Sequence, residues 1–162
     1  MNVWYVNSIL GTFRLEEEND AICGLTLCPD GVPELEPLPR KVCETPLLQE
    51  AEEQLNEYFA GARREFDLPL APKGTPFQKA VWAEMNKIPY GETTTYGALA
   101  RQLAAKQGKP RMSAQAVGGA VGHNEISIII PCHRVVGSTG KLTGYAYGVE
   151  MKQYLLELEQ QE

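Results

Sequence analysis

Apolar and polar positions along the first 43 residues follow the short, β-branched and aromatic runs expected of strands. Val3-Trp4-Tyr5-Val6, Gly11-Thr12-Phe13-Arg14-Leu15 and Ala21-Ile22-Cys23-Gly24-Leu25-Thr26-Leu27 each read as a strand, with an acidic turn predicted over residues 16 to 20. Asp30-Gly31 signals a tight turn, and Pro33, Pro37 and Pro39 predict an extended connector. From residue 45 the period becomes helical. Leu47, Leu48, Ala51, Leu55, Tyr58 and Phe59 share one stripe, Thr45 is placed to cap it, Pro46 suits the first turn and Gly61 closes it.

After a linker at residues 68 to 74, a helix is predicted over residues 76 to 88, with Phe77, Val81, Trp82 and Met85 facing inward. Pro89-Tyr90-Gly91-Glu92 is a turn, and a further helix runs from Tyr96 through Ala104 until Gly108-Lys109-Pro110-Arg111 breaks it. Ser113 is placed to cap a short helix from Ala114 through Val121. Two short helices joined by a basic turn look like a helix-turn-helix with an extended turn. The second carries mostly Ala and Gly, so it can approach a backbone closely but can read little sequence. A last helix spans residues 149 to 160, with Met151, Tyr154, Leu155 and Leu158 on its apolar side. Glu159 lies at the edge of that stripe, where spacing alone reads it as a solvated helix-end acid. The pattern predicts an α+β (α/β) chain with a supporting α/β subdomain over residues 1–70 and a mostly helical domain over residues 71–162.

The chemistry concentrates in Ile126-Ser127-Ile128-Ile129-Ile130-Pro131-Cys132-His133-Arg134-Val135-Val136. Both flanks are apolar and buried on pattern, and Pro131 interrupts regular pairing. A thiol, an imidazole and a guanidinium follow in succession. A lone buried Cys is ordinarily a small core hydrophobe, but burying His133 and Arg134 beside it requires partners for both. Electropositive neighbours favour the thiolate, so a reactive site is expected at Cys132.

Charge sharpens this division. The chain of 162 residues has a net charge of −6, yet residues 73 to 148 hold nine Lys and Arg against three acids, a balance of +6. A basic segment inside an acidic chain fits a single face meeting a polyanion. Cys23, Cys28 and Cys43 lack the paired spacing of a zinc site and are expected as reduced thiols. The N-terminus has no basic start and apolar core of a signal peptide, and no apolar run is long enough to span a membrane, so a cytoplasmic protein is expected.

Pro131-Cys132-His133-Arg134-Val135-Val136-Gly137, preceded by Ala116-Val117-Gly118-Gly119-Ala120 and Asn124, resembles the motif of the O6-alkylguanine-DNA alkyltransferases, also called methylated-DNA–protein-cysteine methyltransferases. The resemblance extends from about Gly74 through Thr143-Gly144-Tyr145-Ala146 to Glu159, and more loosely to Ser8-Ile9-Leu10-Gly11. It implies a small N-terminal β-sheet and helix subdomain followed by a winged-helix, helix-turn-helix-like alkyltransferase domain. It also implies single-turnover DNA repair, in which an alkyl group passes from O6-alkylguanine (or O4-alkylthymine) in double-stranded DNA to Cys132. In that pattern His133 deprotonates Cys132 through a bridging water and Glu159 orients the histidine. Asn124 is the hinge of the active-site turn, and Tyr96 assists nucleotide extrusion and gives the leaving guanine a proton. The implied DNA and base contacts are Arg111, Gln115, Ala116, Gly118, Gly119, Arg134, Val135, Tyr145, Ala146 and Tyr147. No metal or organic cofactor is implied, and a monomer is the default.

A non-catalytic lesion-sensing DNA-binding protein is the alternative, and Cys132 counts against it, because such proteins lack that cysteine. Two positions depart from the family pattern. Gln115 stands where many members carry the arginine that fills the gap left by the flipped base, and Tyr147 stands where a glycine is usual, predicting a narrower pocket. The longer turn ahead of the second helix offers Lys106, Lys109 and Arg111 as phosphate contacts.

Overall fold

The structure is a computed structural model that describes residues 1–34, 40–140 and 148–161. The chain divides into two compact units: Met1–Lys73 together with Glu125–Ser127, and Gly74–Asn124 together with Ile128–Glu162.

The first unit is a four-stranded sheet in the order β3-β2-β1-β4. β1 (Asn2–Ser8), β2 (Gly11–Glu18) and β3 (Ala21–Cys28) form an antiparallel meander, and β4 (Lys41–Val42) pairs parallel to β1. β2 runs on through the acids predicted to turn. Its period-two face buries Phe13, Leu15 and then Glu17. Glu17 is tolerated there because its carboxylate accepts from Asn2 Nδ2 at 3.0 Å and Thr45 Oγ1 at 2.8 Å. The turn itself is only Asn19-Asp20, both with positive φ, the backbone a two-residue hairpin needs. α1 (Pro46–Phe59) starts at Thr45, whose side chain accepts from Leu48 N, and buries Leu48, Ala51, Gln54, Leu55 and Tyr58. The outer edge of β3 is covered at two places. Ile22 exchanges hydrogen bonds with Pro69 and Ala71, and Leu25 does the same with Glu125 and Ser127. These bonds satisfy backbone groups that an open sheet edge would leave bare.

The second unit is mostly helical. α2 (Pro76–Met85) opens with a reciprocal capping box between Thr75 and Gln78. It ends earlier than predicted, because Pro89 disfavours helical backbone at Ile88 and the chain closes as a turn instead. α3 (Tyr96–Lys106) is capped by Thr95, and α4 (Ala114–Gly122) by Ser113. Trp82 Nε1 donates to Ala120 O at 2.8 Å, tying α2 to α4. β5 (Thr94–Thr95) and β6 (Val135–Val136) form a short parallel pair, and α5 (Val149–Gln160) completes the unit. The Ile128-Ile129-Ile130 run is buried as expected but is not a strand. Ile128 has a φ of 69°, a conformation β-branched residues rarely adopt.

Candidate active site

Pro131 has φ −82° and ψ 67°, the backbone of an inverse γ-turn, and Cys132 N closes that turn on Ile130 O at 2.8 Å. The same Ile130 carbonyl accepts from Asn124 Nδ2 at 2.9 Å, so the asparagine after α4 fixes the start of the turn. Cys132–Arg134 then forms a single 3₁₀ turn that leads into β6. Every residue from Ile126 to Val136 is buried.

Burial dominates the electrostatics of Cys132 and pushes its thiol above the ordinary value. A hydrogen bond with Asn124, the charge of Lys152 and backbone hydrogen bonds at Cys132 and His133 act in the opposite direction. The sequence suggests that electropositive neighbours win. In the resting structure desolvation outweighs them.

His133 is fully buried, and its Nε2 lies 2.6 Å from Glu159 Oε2. Its other nitrogen, Nδ1, has no hydrogen-bond partner among the described residues. With Nε2 paired to a carboxylate, the proton is assigned to Nε2 and the lone pair to Nδ1. Burial lowers the pKa of His133 most strongly, helped by Arg134 and Lys152, while the bond and charge of Glu159 raise it. Glu159 is therefore no solvated helix-end acid: it is 4% exposed and turned inward at the end of α5.

Arg134 is the residue for which the apolar run around it and the family resemblance point different ways. It is buried rather than offered to DNA, with Nε at 2.8 Å from Glu159 Oε1, Nη2 at 3.0 Å from Oε2 and Nη1 at 2.7 Å from Ile88 O. Its partners lie far along the chain, so the local motif gives no sign of them.

Tyr96 stands half-buried at the first position of α3. Gln115, Ala116, Gly119 and Arg111 are exposed, Gly118 is half-buried, and Val135 is fully buried. A Cβ at Gly118 would meet the Tyr96 ring at 3.6 Å, whereas one at Gly119 would meet no described atom within 4 Å. Lys106 is paired with Glu84, which also binds Lys87. Tyr145, Ala146 and Tyr147 lie outside the described residues.

Lys152 is the residue that sequence reasoning misses. It is 1% exposed, donates from Nζ to Val135 O at 2.6 Å and lies 5.9 Å from the centre of the Tyr96 ring. Burial lowers its pKa, and the charge of Cys132 raises it. The signal was present in the sequence. Lys152 falls on the same α5 stripe as Met151, Leu155 and Leu158, and a cation inside an apolar stripe needs a reason.

Comparison with known proteins supplies the context. Residues 76–161 match the family model for the 6-O-methylguanine DNA methyltransferase DNA binding domain, and residues 3–72 match the ribonuclease-like domain of the same proteins. The methylated-DNA–protein-cysteine methyltransferase of Methanosarcina acetivorans is 54% identical over 111 residues, covering 68% of this chain and 68% of that one. The constitutive methylated-DNA–protein-cysteine methyltransferase of Bacillus subtilis is 43% identical over 153 residues, covering 93% of this chain and 90% of that protein. A solved structure of Mycobacterium tuberculosis OGT in complex with DNA superposes with a TM-score of 0.86 at 39% identity, covering 99% of this chain and 93% of that one.

Proposed function

The chain belongs to the 6-O-methylguanine DNA methyltransferase family, and from that premise we propose that it repairs DNA by direct transfer of an alkyl group from O6-alkylguanine to Cys132. The observation that carries this reading is the buried Cys132, His133 and Glu159 cluster, lying wholly within the matched DNA-binding domain. The DNA-bound state of a relative that superposes over nearly the whole chain supports DNA as the partner.

The chemistry follows from the groups present. The O6 substituent is out of reach inside stacked DNA, so the nucleotide must leave the duplex, at a cost of a few kcal/mol. The side-chain-poor face of α4, where Gly119 leaves room for a close neighbour, is the surface for the DNA backbone. Gln115 near its start is placed to fill the gap, and exposed Arg111 to hold phosphate. Asn124 and Lys152 stabilise negative charge on Cys132 as the proton leaves. That proton passes, by way of water, to the unprotonated Nδ1 of His133, and Glu159 stabilises the resulting imidazolium through Nε2.

The thiolate attacks the alkyl carbon and forms a C–S bond while the C–O6 bond breaks. Tyr96 gives a proton to the departing guanine, which would otherwise leave as an anion. The product thioether does not hydrolyse, so each molecule acts once and needs no metal or organic cofactor. Residues 1–70 support the catalytic region, residues 71–162 bind DNA and accept the alkyl group, and the chain works as a cytoplasmic monomer. No described helix is long and apolar enough to cross a membrane.

The test is mass spectrometry of the intact chain and its peptides after incubation with an O6-methylguanine duplex. One added methyl at Cys132, saturating at one equivalent and absent in Cys132→Ser, is the expected result. DNA binding without any methyl gain would make the chain a lesion sensor instead.

A further inference from the structure

We propose that Arg134 is a positioning residue of the proton relay, a clamp on Glu159 that keeps His133 presented with an unprotonated Nδ1. This rests on Cys132 being the alkyl acceptor. The geometry is a planar fork on a planar carboxylate. Arg134 Nε lies 2.8 Å from Glu159 Oε1, and Nη2 lies 3.0 Å from Oε2, the same oxygen that takes His133 Nε2 at 2.6 Å. Two fixed bonds leave the carboxylate little freedom to rotate, so Oε2 stays aimed at the imidazole. The guanidinium is itself held: Nη1 donates to Ile88 O at 2.7 Å, and the Tyr90 ring centre lies 5.7 Å from its carbon. A further donor reaches the same carboxylate from that turn, since Gly91 N lies 3.4 Å from Glu159 Oε1. The clamp therefore draws on the 3₁₀ turn, the turn after α2 and α5.

This arrangement sets where the proton rests. A buried carboxylate beside an imidazole favours imidazolium, and imidazolium has no lone pair at Nδ1 with which to accept the thiol proton. Arg134 offsets the charge of Glu159 and so leaves the ring neutral until the thiol gives up its proton. Among the described residues, the charged and titratable groups facing His133 are Glu159 and Lys152 from α5, with Arg134 and Cys132 from its own turn. Burial and both cations oppose charging the ring, and Glu159 favours it. A phosphate contact would require Arg134 to abandon a buried carboxylate, among the costlier changes a folded chain can make.

The test is a single-turnover assay of methyl transfer from duplex O6-methylguanine DNA, with the DNA titrated to saturation and the pH varied from about 5.5 to about 9. The wild-type chain is compared with Arg134→Lys and Arg134→Met. Arg134→Met should lose roughly 10²-fold in saturating rate, the lower end of what a general base contributes, while DNA affinity stays within about twofold. Its acid limb should move to higher pH, because His133 now holds its proton longer. Arg134→Lys keeps the charge without the fork, so it should return the acid limb toward wild type while recovering only part of the rate.

The proposal is overturned if Arg134→Met keeps its saturating rate but binds DNA more weakly, with a salt slope shallower by about one, the behaviour of a phosphate contact. An equal loss of rate at every pH, with the acid limb unmoved, overturns it as well. Should Arg134→Met fail to fold, the double variant Arg134→Met/Glu159→Gln also removes the carboxylate charge that Arg134 offsets. Its saturating rate should be low and its acid limb at or below the wild-type position, and an upward shift there refutes the clamp. A wild-type chain that transfers no methyl removes the functional reading itself, and the clamp with it.

Discussion

Cys23 in the first unit and Cys132 in the second are both buried, at 3% and 7% exposure, and burial pushes both thiols above their ordinary value. They differ in what surrounds them. Around Cys23, on β3, the charge of Lys73 favours the thiolate while Glu16 and Glu18 oppose it. Around Cys132, every influence named besides burial favours the thiolate: Asn124, Lys152 and backbone hydrogen bonds at Cys132 and His133. Burial alone therefore does not distinguish a core sulfur from a nucleophile. The distinction lies in whether the polar neighbours agree.

The largest test of that contrast is replacement of each thiol. Cys132→Ser should abolish methyl transfer, and Cys23→Ser should leave it at one equivalent, both read by intact-mass measurement. Loss of transfer in Cys23→Ser would erase the contrast. Next in size is the relay. His133→Gln should slow single-turnover transfer by roughly 10²- to 10⁴-fold at saturating DNA, the contribution expected of a general base. Lys152→Met should slow alkylation of Cys132 by neutral iodoacetamide by roughly tenfold, a middling value for a coupled buried pair, with Cys23 labelling in the same sample unchanged. An equal fall at both thiols would show that Lys152 supports the fold rather than the sulfur.

The smallest expected effect is on stability against pH. Burial lowers His133 from 6.5, so as pH falls through the window below that value the unfolded chain takes up a proton first and stability drops. The two thiols act at the other end. Each is raised from 9.0, so their contribution is complete below that value and is lost as pH rises toward the folded value. Urea unfolding across pH should show the acid slope flattened in His133→Gln and the alkaline slope flattened, but not removed, in Cys23→Ala.

What the sequence makes legible is local. Thr45, Thr75, Thr95 and Ser113 each cap a helix, and a cap is decided within a few residues. Thr45, Ser113 and the short Ala- and Gly-rich helix could be placed from pattern alone. What it hides depends on distant partners. Glu17 extends β2 because Asn2 and Thr45 meet its carboxylate, and Arg134 turns inward because α5 brings Glu159 to it. The inward turn of Glu159 is likewise invisible to spacing, and only the family resemblance suggested its role. Lys152 was detectable, as a cation on an apolar stripe, but the stripe does not reveal Val135 O or the sulfur that explain it.

The backbone bonds between Leu25 and residues 125 and 127 bear on the order in which the molecule assembles. The bridge between Leu25 and Ile126 joins positions about a hundred residues apart, a separation that carries a large loop-closure cost and forms slowly. During synthesis the sheet can draw its meander together early, yet this stretch of its edge stays open until residue 127 has emerged. The turn bearing Cys132 follows within five residues. Lys152 and Glu159, which act on that thiol and its histidine, lie on α5 and are made later still, so the site is complete only once the chain has passed residue 159.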